Sequence, residues 1–357
     1  MRLFEYQGKD IFSRYNIPTP QRSLIRKEED VNNLAYPVML KAQTLMGGRG
    51  KAGGIKKADT AHEARKIVKD ILTLTIKGQQ VNGVLAEECI PIDQEVYIAI
   101  TIDKQLNKPL LVASPVGGVD VEEVAKDEPD KVLRKHIEPF VGLQDFMIKK
   151  VAKHIGIKTG KGFKEIVDNM FAVFQKTDAT LVEINPLAAS GDRLVALDAK
   201  IVLDDKARYR HPELFEKLER EQQRLRTQQR TKSEALVDEY GITYIPLNGD
   251  IAVISDGAGT GMLTLDILED EGGRPSCLCE MGGIASAETM VHSLEIVTAN
   301  PATTNVLVNL IGGLNRMDEM AEGILTFFIS NGDIPPLAIR RAPTDVLNII
   351  KNLGIGA

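Results

Sequence analysis

"PVMLKAQTLMGGRGKAGGIKKA", residues 37–58, sets five glycines, Arg49 and Lys51 between two stretches that read as strands. A phosphate loop of the Walker or Rossmann kind runs strand, glycines, helix, because the ligand sits on the helix N-terminus. Here a second strand follows at residues 54–58, so the segment predicts a mobile flap between antiparallel strands. Missing side chains let backbone N–H groups approach a polyphosphate, while Arg49 and Lys51 offset its charge. Lys41, at the end of the first strand, is placed to face the same anion. Read alone, the stretch fits a flexible basic turn equally well.

Working outward, a Thr cap at Thr60 opens a helix, and strands follow at 83–88, 95–103 and 109–115. From about 120 to 178 the apolar spacing is helical. "ATLVEIN" (179–185) and "RLVALDAKIVL" (193–203) then form a hairpin pattern around "ASGD". Glu183 and Asn185 sit two apart on a strand and share a face. Folding about Ser190 and Gly191 sets Asp198 roughly opposite Glu183. A few oxygen ligands with room for water and phosphate oxygens suit Mg2+. An inward acid on a strand is otherwise as often an ion-pair partner, but with the flap and the lysine the set describes a nucleoside-triphosphate site.

Residues 212–241 are dense in charge and Gln with a thin Leu and Phe stripe, which reads as a solvated linker helix at a domain boundary. Beyond it, "GDIAVISDGAGTG", "MLTLDILEDEG", "SCLCEM", "TNVLVNLIGG", "DEMAEGILTFFI" and "PLAIRR" alternate strands with helices, the pattern of a small parallel, doubly wound sheet. The N-terminal "MRLFEYQGKDIFSRY" reads as a short amphipathic helix, and "NIPTPQ" breaks the chain after it.

The 357 residues, 43% of them hydrophobic, carry a net charge of −6, so no general basic surface is offered to a nucleic acid. No apolar run reaches the roughly 20 residues that span a bilayer, and a cytoplasmic protein is expected. Cys89, Cys277 and Cys279 show no CxxC spacing, and small buried thiols are expected rather than zinc or disulfides. None of the five histidines lies in a glycine-rich or acidic setting that would mark a phosphorylated nucleophile.

"FEYQGKDIFSRYNIPTP", "LKAQ", "GGRGKAGGIK", "GGVDVEEVA", "EINPL", "LDAKIVLDD", "RHPEL", "DGAG" and "NLIGGLNR" occur in one order along nearly the whole chain. In these motifs it resembles the beta subunits of succinyl-CoA synthetases, which are ATP-grasp ligases. The resemblance implies an α/β chain in two parts. An ATP-grasp domain would cover 1–232, with a lid subdomain at about 21–103, and a flavodoxin-like doubly wound CoA-ligase domain would cover 243–357. By similarity, Lys41, Gly48, Arg49 and Gly50 contact the nucleotide phosphates, and Glu87, Ile90 and Glu95 match adenine and ribose positions. Asn185 and Asp198 match Mg2+ ligands, and Glu183 an acid beside the phosphoryl-transfer site. Asp256, Gly313, Leu314 and Asn315 match the carboxylate site. The implied ligands are ATP or ADP, with GTP as the other choice, a magnesium ion and a small carboxylate. The implied partner is an alpha subunit bearing the phosphohistidine and CoA site, with no nucleic acid or membrane involved.

Some positions depart from that pattern. Asp256 stands where the family has Asn, Ile284 where it has a third glycine, and Val116 where it often has Glu; the tail also stops about 20 residues earlier than expected for such a domain. Asp256 would repel a substrate carboxylate unless protonated or paired, whereas it would accept a hydrogen bond from a hydroxyl, as in a ligase for malate or citrate. Two other readings are a non-catalytic regulatory subunit and an NAD-linked oxidoreductase. The second draws on "SDGAGTG" and Glu280, but Met262 occupies the place of its third glycine.

Overall fold

In the computed structural model, residues 1–157, 161–226, 232–311, 315–331 and 335–341 are described. The chain divides into two compact units, Met1–Arg226 and Thr227–Ala357.

The first unit opens with α1 (Glu5–Arg14), then β1 (Arg22–Ile25), β2 (Val38–Ala42), β3 (Ile55–Ala58), α2 (Ala61–Leu72), a short hairpin of β4 (Thr75–Ile76) and β5 (Gln79–Gln80), and β6 (Val84–Glu88). Strands β1, β6, β2 and β3, in that order, make an antiparallel sheet. The flap joins β2 to β3, as expected from the two flanking strands. Thr60 caps α2 by accepting the Glu63 N–H, and the helix buries Ala64, Val68 and Ile71 in a core with Ile25, Leu40 and Val84.

A second, larger sheet follows. Its elements are β7 (Gln94–Asp103), β8 (Lys108–Ser114), α3 (Val121–Asp127), β9 (Leu133–His136), α4 (Asp145–Ile155), α5 (Lys161–Lys176), β10 (Ala179–Ser190), β11 (Arg193–Ala196) and β12 (Lys200–Leu203). The strand order is β11-β10-β7-β8-β9, with β12 also on β10, and every pairing is antiparallel. Val96, Ile98, Leu111, Val182 and Ile184 meet Val151 of α4 and Phe163, Val167 and Met170 of α5 in its core. Because β7 pairs here, the smaller lobe ends near Glu88 rather than at 103. β9 lies inside the stretch that reads as helical; its polar "LRKH" sits at a sheet edge with one pairing partner and no alternating apolar signal.

The expected single solvated linker helix is two helices. α6 (Pro212–Arg226) belongs to the first unit and buries Phe215, Leu218 and Leu225. Gln7 of α1 donates to the Leu218 carbonyl, and Gln222 donates back to Arg2 O and Gln7 Oε1. α7 (Lys232–Tyr240) belongs to the second unit.

That unit continues with β13 (Thr243–Pro246), β14 (Ile251–Ser255), α8 (Ala258–Asp270), β15 (Pro275–Glu280), α9 (Ala287–Thr298), β16 (Asn305–Leu310), α10 (Met317–Ser330) and β17 (Leu337–Arg341). Its sheet order is β13-β15-β14-β16-β17, parallel except for the edge strand β13, which was not legible from alternation. Ala252, Ile254, Cys277, Cys279, Val306 and Val308 share a core with α9 and α10. On the other face Gly261 of α8 sits so close that a Cβ there would lie 2.5 Å from Ser255 Oγ and 2.7 Å from Leu278 Cδ1. Helices thus cover both faces, the doubly wound arrangement. Cys277 and Cys279 are buried free thiols, and Cys89 is half-buried. Among the described residues no helix is long and apolar enough to cross a membrane.

Candidate functional site

Two adjacent strands and the flap bring their charges to α1. Across β2 and β6, Lys41 is opposite Leu85, which puts Glu87 on the same face, one diagonal step away. The flap closes through Gly54 N→Arg49 O and Ala52 N→Gly48 O, with Gly48 at φ +94, a backbone conformation that glycine adopts without strain. On α1, Glu5 and Lys9 are four apart and both buried.

Their side chains form one closed ionic cluster. Lys9 Nζ lies 2.8 Å from Glu5 Oε1 and 2.5 Å from Glu87 Oε1, and donates to the Leu197 carbonyl at 2.8 Å. Lys41 Nζ lies 2.7 Å from Glu87 Oε2 and 3.3 Å from Glu5 Oε1, and also donates to Leu197 O. Arg49 pairs with Glu5 through Nη1 and with Asp198 Oδ2 through Nη2, the latter at 2.5 Å. Lys9, Lys41 and Arg49 thus face Glu5, Glu87 and Asp198. Burial pushes the Glu5 carboxyl up, but Arg49, Lys41 and Lys9 outweigh it and hold it well below the usual glutamate value of 4.5. Burial opposes the charge on Lys41 too, and Glu5, Glu87 and Asp198 raise it above an ordinary lysine. Burial dominates at Lys9, whose ammonium is lowered despite its carboxylate partners.

Glu5 and Lys9 were absent from the sequence-based set. An i,i+4 Glu–Lys pair on a short helix reads as a solvated surface pair, and only tertiary closure buries it. Lys51 does not join the cluster, because it is exposed and its Nζ lies 3.9 Å from Glu123. Glu87, matched to a nucleotide-base or ribose position, accepts from Lys9 through Oε1 and has Oε2 at ion-pair distance, 2.7 Å, from Lys41 Nζ. Ile90 is half-buried in the connection between the two sheets, and Glu95 is half-buried at the start of β7, its Oε2 3.0 Å from where a Cβ on Gly118 would stand. Gly48 and Gly50 are in the flap, where a Cβ on Gly50 would meet nothing within 4 Å.

The hairpin supplies the other wall. Its register pairs Glu183 with Lys200, and Leu187 with Ala196, so Asp198 comes opposite Asn185 rather than opposite Glu183. Asn185 holds the loop after β8: its Oδ1 accepts the Gly118 N–H at 2.7 Å and its Nδ2 donates to Val119 O at 2.8 Å. That loop, carrying Val116, Gly117 and Gly118, was not legible as part of the site. A Cβ on Gly117 would lie 2.8 Å from the Val96 backbone, so the loop rides directly on β7. Glu183 accepts from Lys200 Nζ at 3.3 Å and from Tyr97 OH at 3.4 Å. Burial raises its pKa against the lowering effect of Lys200, with Asp198 and Glu122 adding to the rise. Burial and Glu183 likewise push the Tyr97 phenol up. The remaining lone pair of Asn185 Oδ1 and the Asp198 carboxylate form an all-oxygen donor set of the kind a hard cation takes. In donor chemistry these residues fit a magnesium ion.

Comparison with known proteins bears on what this site serves. A family model for an ATP-grasp domain matches residues 2–189, and one for a CoA-ligase domain matches residues 254–338. The succinate–CoA ligase (ADP-forming) subunit beta of Desulfurococcus amylolyticus is 39% identical over 97% of this chain and 91% of that protein. That of Rubrobacter xylanophilus is 36% identical over 100% of this chain and 93% of its own length. The chain belongs to the succinate–CoA ligase beta-subunit family. It is thus a member of an enzyme family of ADP-forming CoA ligases with a nucleotide-binding ATP-grasp domain. An ATP citrate lyase from Methanothrix soehngenii, solved with citrate and coenzyme A, superposes with a TM-score of 0.71 at 20% identity, covering 99% of this chain and 93% of that one, and so shares the fold.

For a succinate–CoA ligase beta-family chain the second unit carries the positions matched to the carboxylate site, at the carboxyl ends of its parallel strands. Asp256 Oδ2 accepts the Ile311 N–H at 3.1 Å. Asn315 is buried and clamps a neighbouring loop, accepting from Ala285 N at 2.7 Å and donating to Gly282 O at 3.0 Å. Gly313 and Leu314 lie outside the described residues. Ile284 introduces no backbone strain: the positive φ in its loop, +82, falls on Gly282, and the Ile284 side chain is 93% exposed. Of the histidines, His62 is exposed; His136 and His211 pair with Asp103 and Asp178, His154 bonds Lys131 O, and His292 stacks on Tyr240.

Proposed function

We propose that this chain is the nucleotide-binding beta subunit of a succinate–CoA ligase, acting in the cytosol with an alpha subunit that bears the phosphohistidine and the CoA site. In the synthetic direction, the P–N bond of that phosphohistidine breaks as a P–O bond forms to the terminal phosphate oxygen of ADP. Lys41 and Arg49 hold the phosphates, the glycine flap brings its N–H groups to them, and Glu183, beside Tyr97 and Lys200, holds a proton close to the transferred group. Asn185 and Asp198 would hold magnesium, which neutralises charge on the phosphate oxygens when bound. One observation carries this reading: Arg49 of the flap reaches Asp198 of the hairpin, so flap and hairpin face a single site.

The test is a coupled assay of the chain with its genomically adjacent alpha subunit, using ADP and GDP and a panel of acids. Succinyl-CoA-dependent ATP formation, with transfer of label from ATP to the alpha chain, is expected. A folded complex that labels no partner would refute catalysis and favour a regulatory subunit. Use of malate or citrate in place of succinate would reassign the acid, and would fit Asp256 accepting a substrate hydroxyl.

A further inference from the structure

Lys9 is fully buried, touches none of the positions matched to ligand binding other than Glu87, and has no role in the chemistry described above. Resting on the nucleotide-site reading, we propose that Lys9 is a positioning residue: it supplies the counter-charge that keeps Lys41 and Arg49 free to face a polyphosphate although two buried carboxylates sit beside them. Set Asp198 aside, since its carboxylate is the one matched to a metal. The remaining cluster then has Lys9, Lys41 and Arg49 against Glu5 and Glu87, an excess of one positive charge. Without Lys9 the excess vanishes, and Lys41 and Arg49 become the sole partners of Glu5 and Glu87. Lys9 also anchors the Leu197 carbonyl, one residue before Asp198, so α1, the lid sheet and the metal hairpin are tied through a single ammonium group.

The experiment uses the full-length chain and calorimetric titration with ADP in the presence of magnesium, on wild type, Lys9→Met, Glu5→Gln and the double variant Lys9→Met/Glu5→Gln. One unit charge several ångströms from a phosphate, at an effective dielectric near 20, gives an expected weakening of about tenfold or more for Lys9→Met. Glu5→Gln is expected to bind at least as tightly as wild type, and the double variant, which regains the excess charge, to return close to wild type. In the two-subunit complex, KM for ADP should rise in Lys9→Met with a smaller change in kcat. Should Lys9→Met fail to fold, the double variant against Glu5→Gln still measures the removal of Lys9, again at about tenfold. Equal ADP affinity with and without Lys9, in either background, would overturn the proposal and leave Lys9 a purely structural group. Weaker binding in Glu5→Gln would overturn it too, because the excess of positive charge would then not govern ADP affinity. A wild-type chain that binds no ADP would instead sink the nucleotide-site reading itself, and this proposal with it.

Discussion

Asp198→Asn separates the metal role proposed for the hairpin from its structural role. The change removes one negative charge while keeping size and one carbonyl oxygen. In the folded chain Asp198 Oδ2 lies 2.5 Å from Arg49 Nη2, and Oδ1 accepts the Ala199 N–H at 2.7 Å. Losing a charge-assisted hydrogen bond costs about 1.5–3 kcal/mol. The low end applies, because Asp198 is partly exposed and Arg49 keeps Glu5, so the fold should survive. Divalent-ion binding should suffer far more. A unit charge at about 4 Å and an effective dielectric near 20 contributes roughly 4 kcal/mol, which hydration of the ion reduces. A weakening of at least about a hundredfold, or about 2.7 kcal/mol, is expected. Arg49, released from its carboxylate, should hold metal-free ADP at least as well as before. Titration of the variant with Mn2+ in the presence of ADP, and with ADP in EDTA, measures both. Unchanged Mn2+ affinity would refute the assignment of Asp198, and an equal loss of metal-free ADP binding would point to damage of the whole site.

Burial raises the Glu183 pKa in the folded chain, so as pH rises above 4.5 the unfolded chain loses its proton first, folding must take one up, and stability falls until the raised native pKa is passed. Glu183→Gln should therefore raise the melting temperature at pH 7 and leave it nearly unchanged at pH 4; the reverse order would contradict the burial assignment. Asn315→Ala strips partners from Ala285 N and Gly282 O, at about 1–3 kcal/mol per buried group left unpaired. Faster hydrogen exchange confined to residues 282–285 should accompany that loss. Gly48→Ala forces a side chain onto φ +94, a strain of about 1–3 kcal/mol that should appear as weaker ADP binding with little change in melting temperature.

The parts of the fold carried by local pattern were legible. The flap between β2 and β3, the Thr60 cap, the 179–203 hairpin and the parallel sheet all announce themselves through glycine placement, capping chemistry and apolar period. Edge elements were not. β9 and β13 lie at sheet margins, where one side of each strand needs no apolar partner and alternation fades. α6 reads as solvated because its buried stripe is thin. It packs on α1 through Phe215 and Leu218 together with glutamine side chains, which no hydrophobic count rewards.

The nucleotide site divides along the same line, and its three carboxylates show why. Lys41, Arg49 and Asp198 could be proposed from motif and register, whereas the partners that set their charge, Glu5 and Lys9, come from a helix whose burial depends on the lid sheet and the hairpin closing over it. Those three carboxylates are not equivalent. Glu5 and Glu87 have side chains only 2% and 1% exposed, while that of Asp198 is 28% exposed. Removing every cation from either buried acid would leave an uncompensated charge in low dielectric, which is costly, so Lys9 stays on both while Lys41 and Arg49 turn to a ligand. Asp198 alone of the three can change partners at the edge of solvent at small cost. We therefore propose that its ion pair with Arg49 is the first contact in the cluster that a metal-bound nucleotide replaces, the carboxylate turning to the metal and the guanidinium to the phosphates.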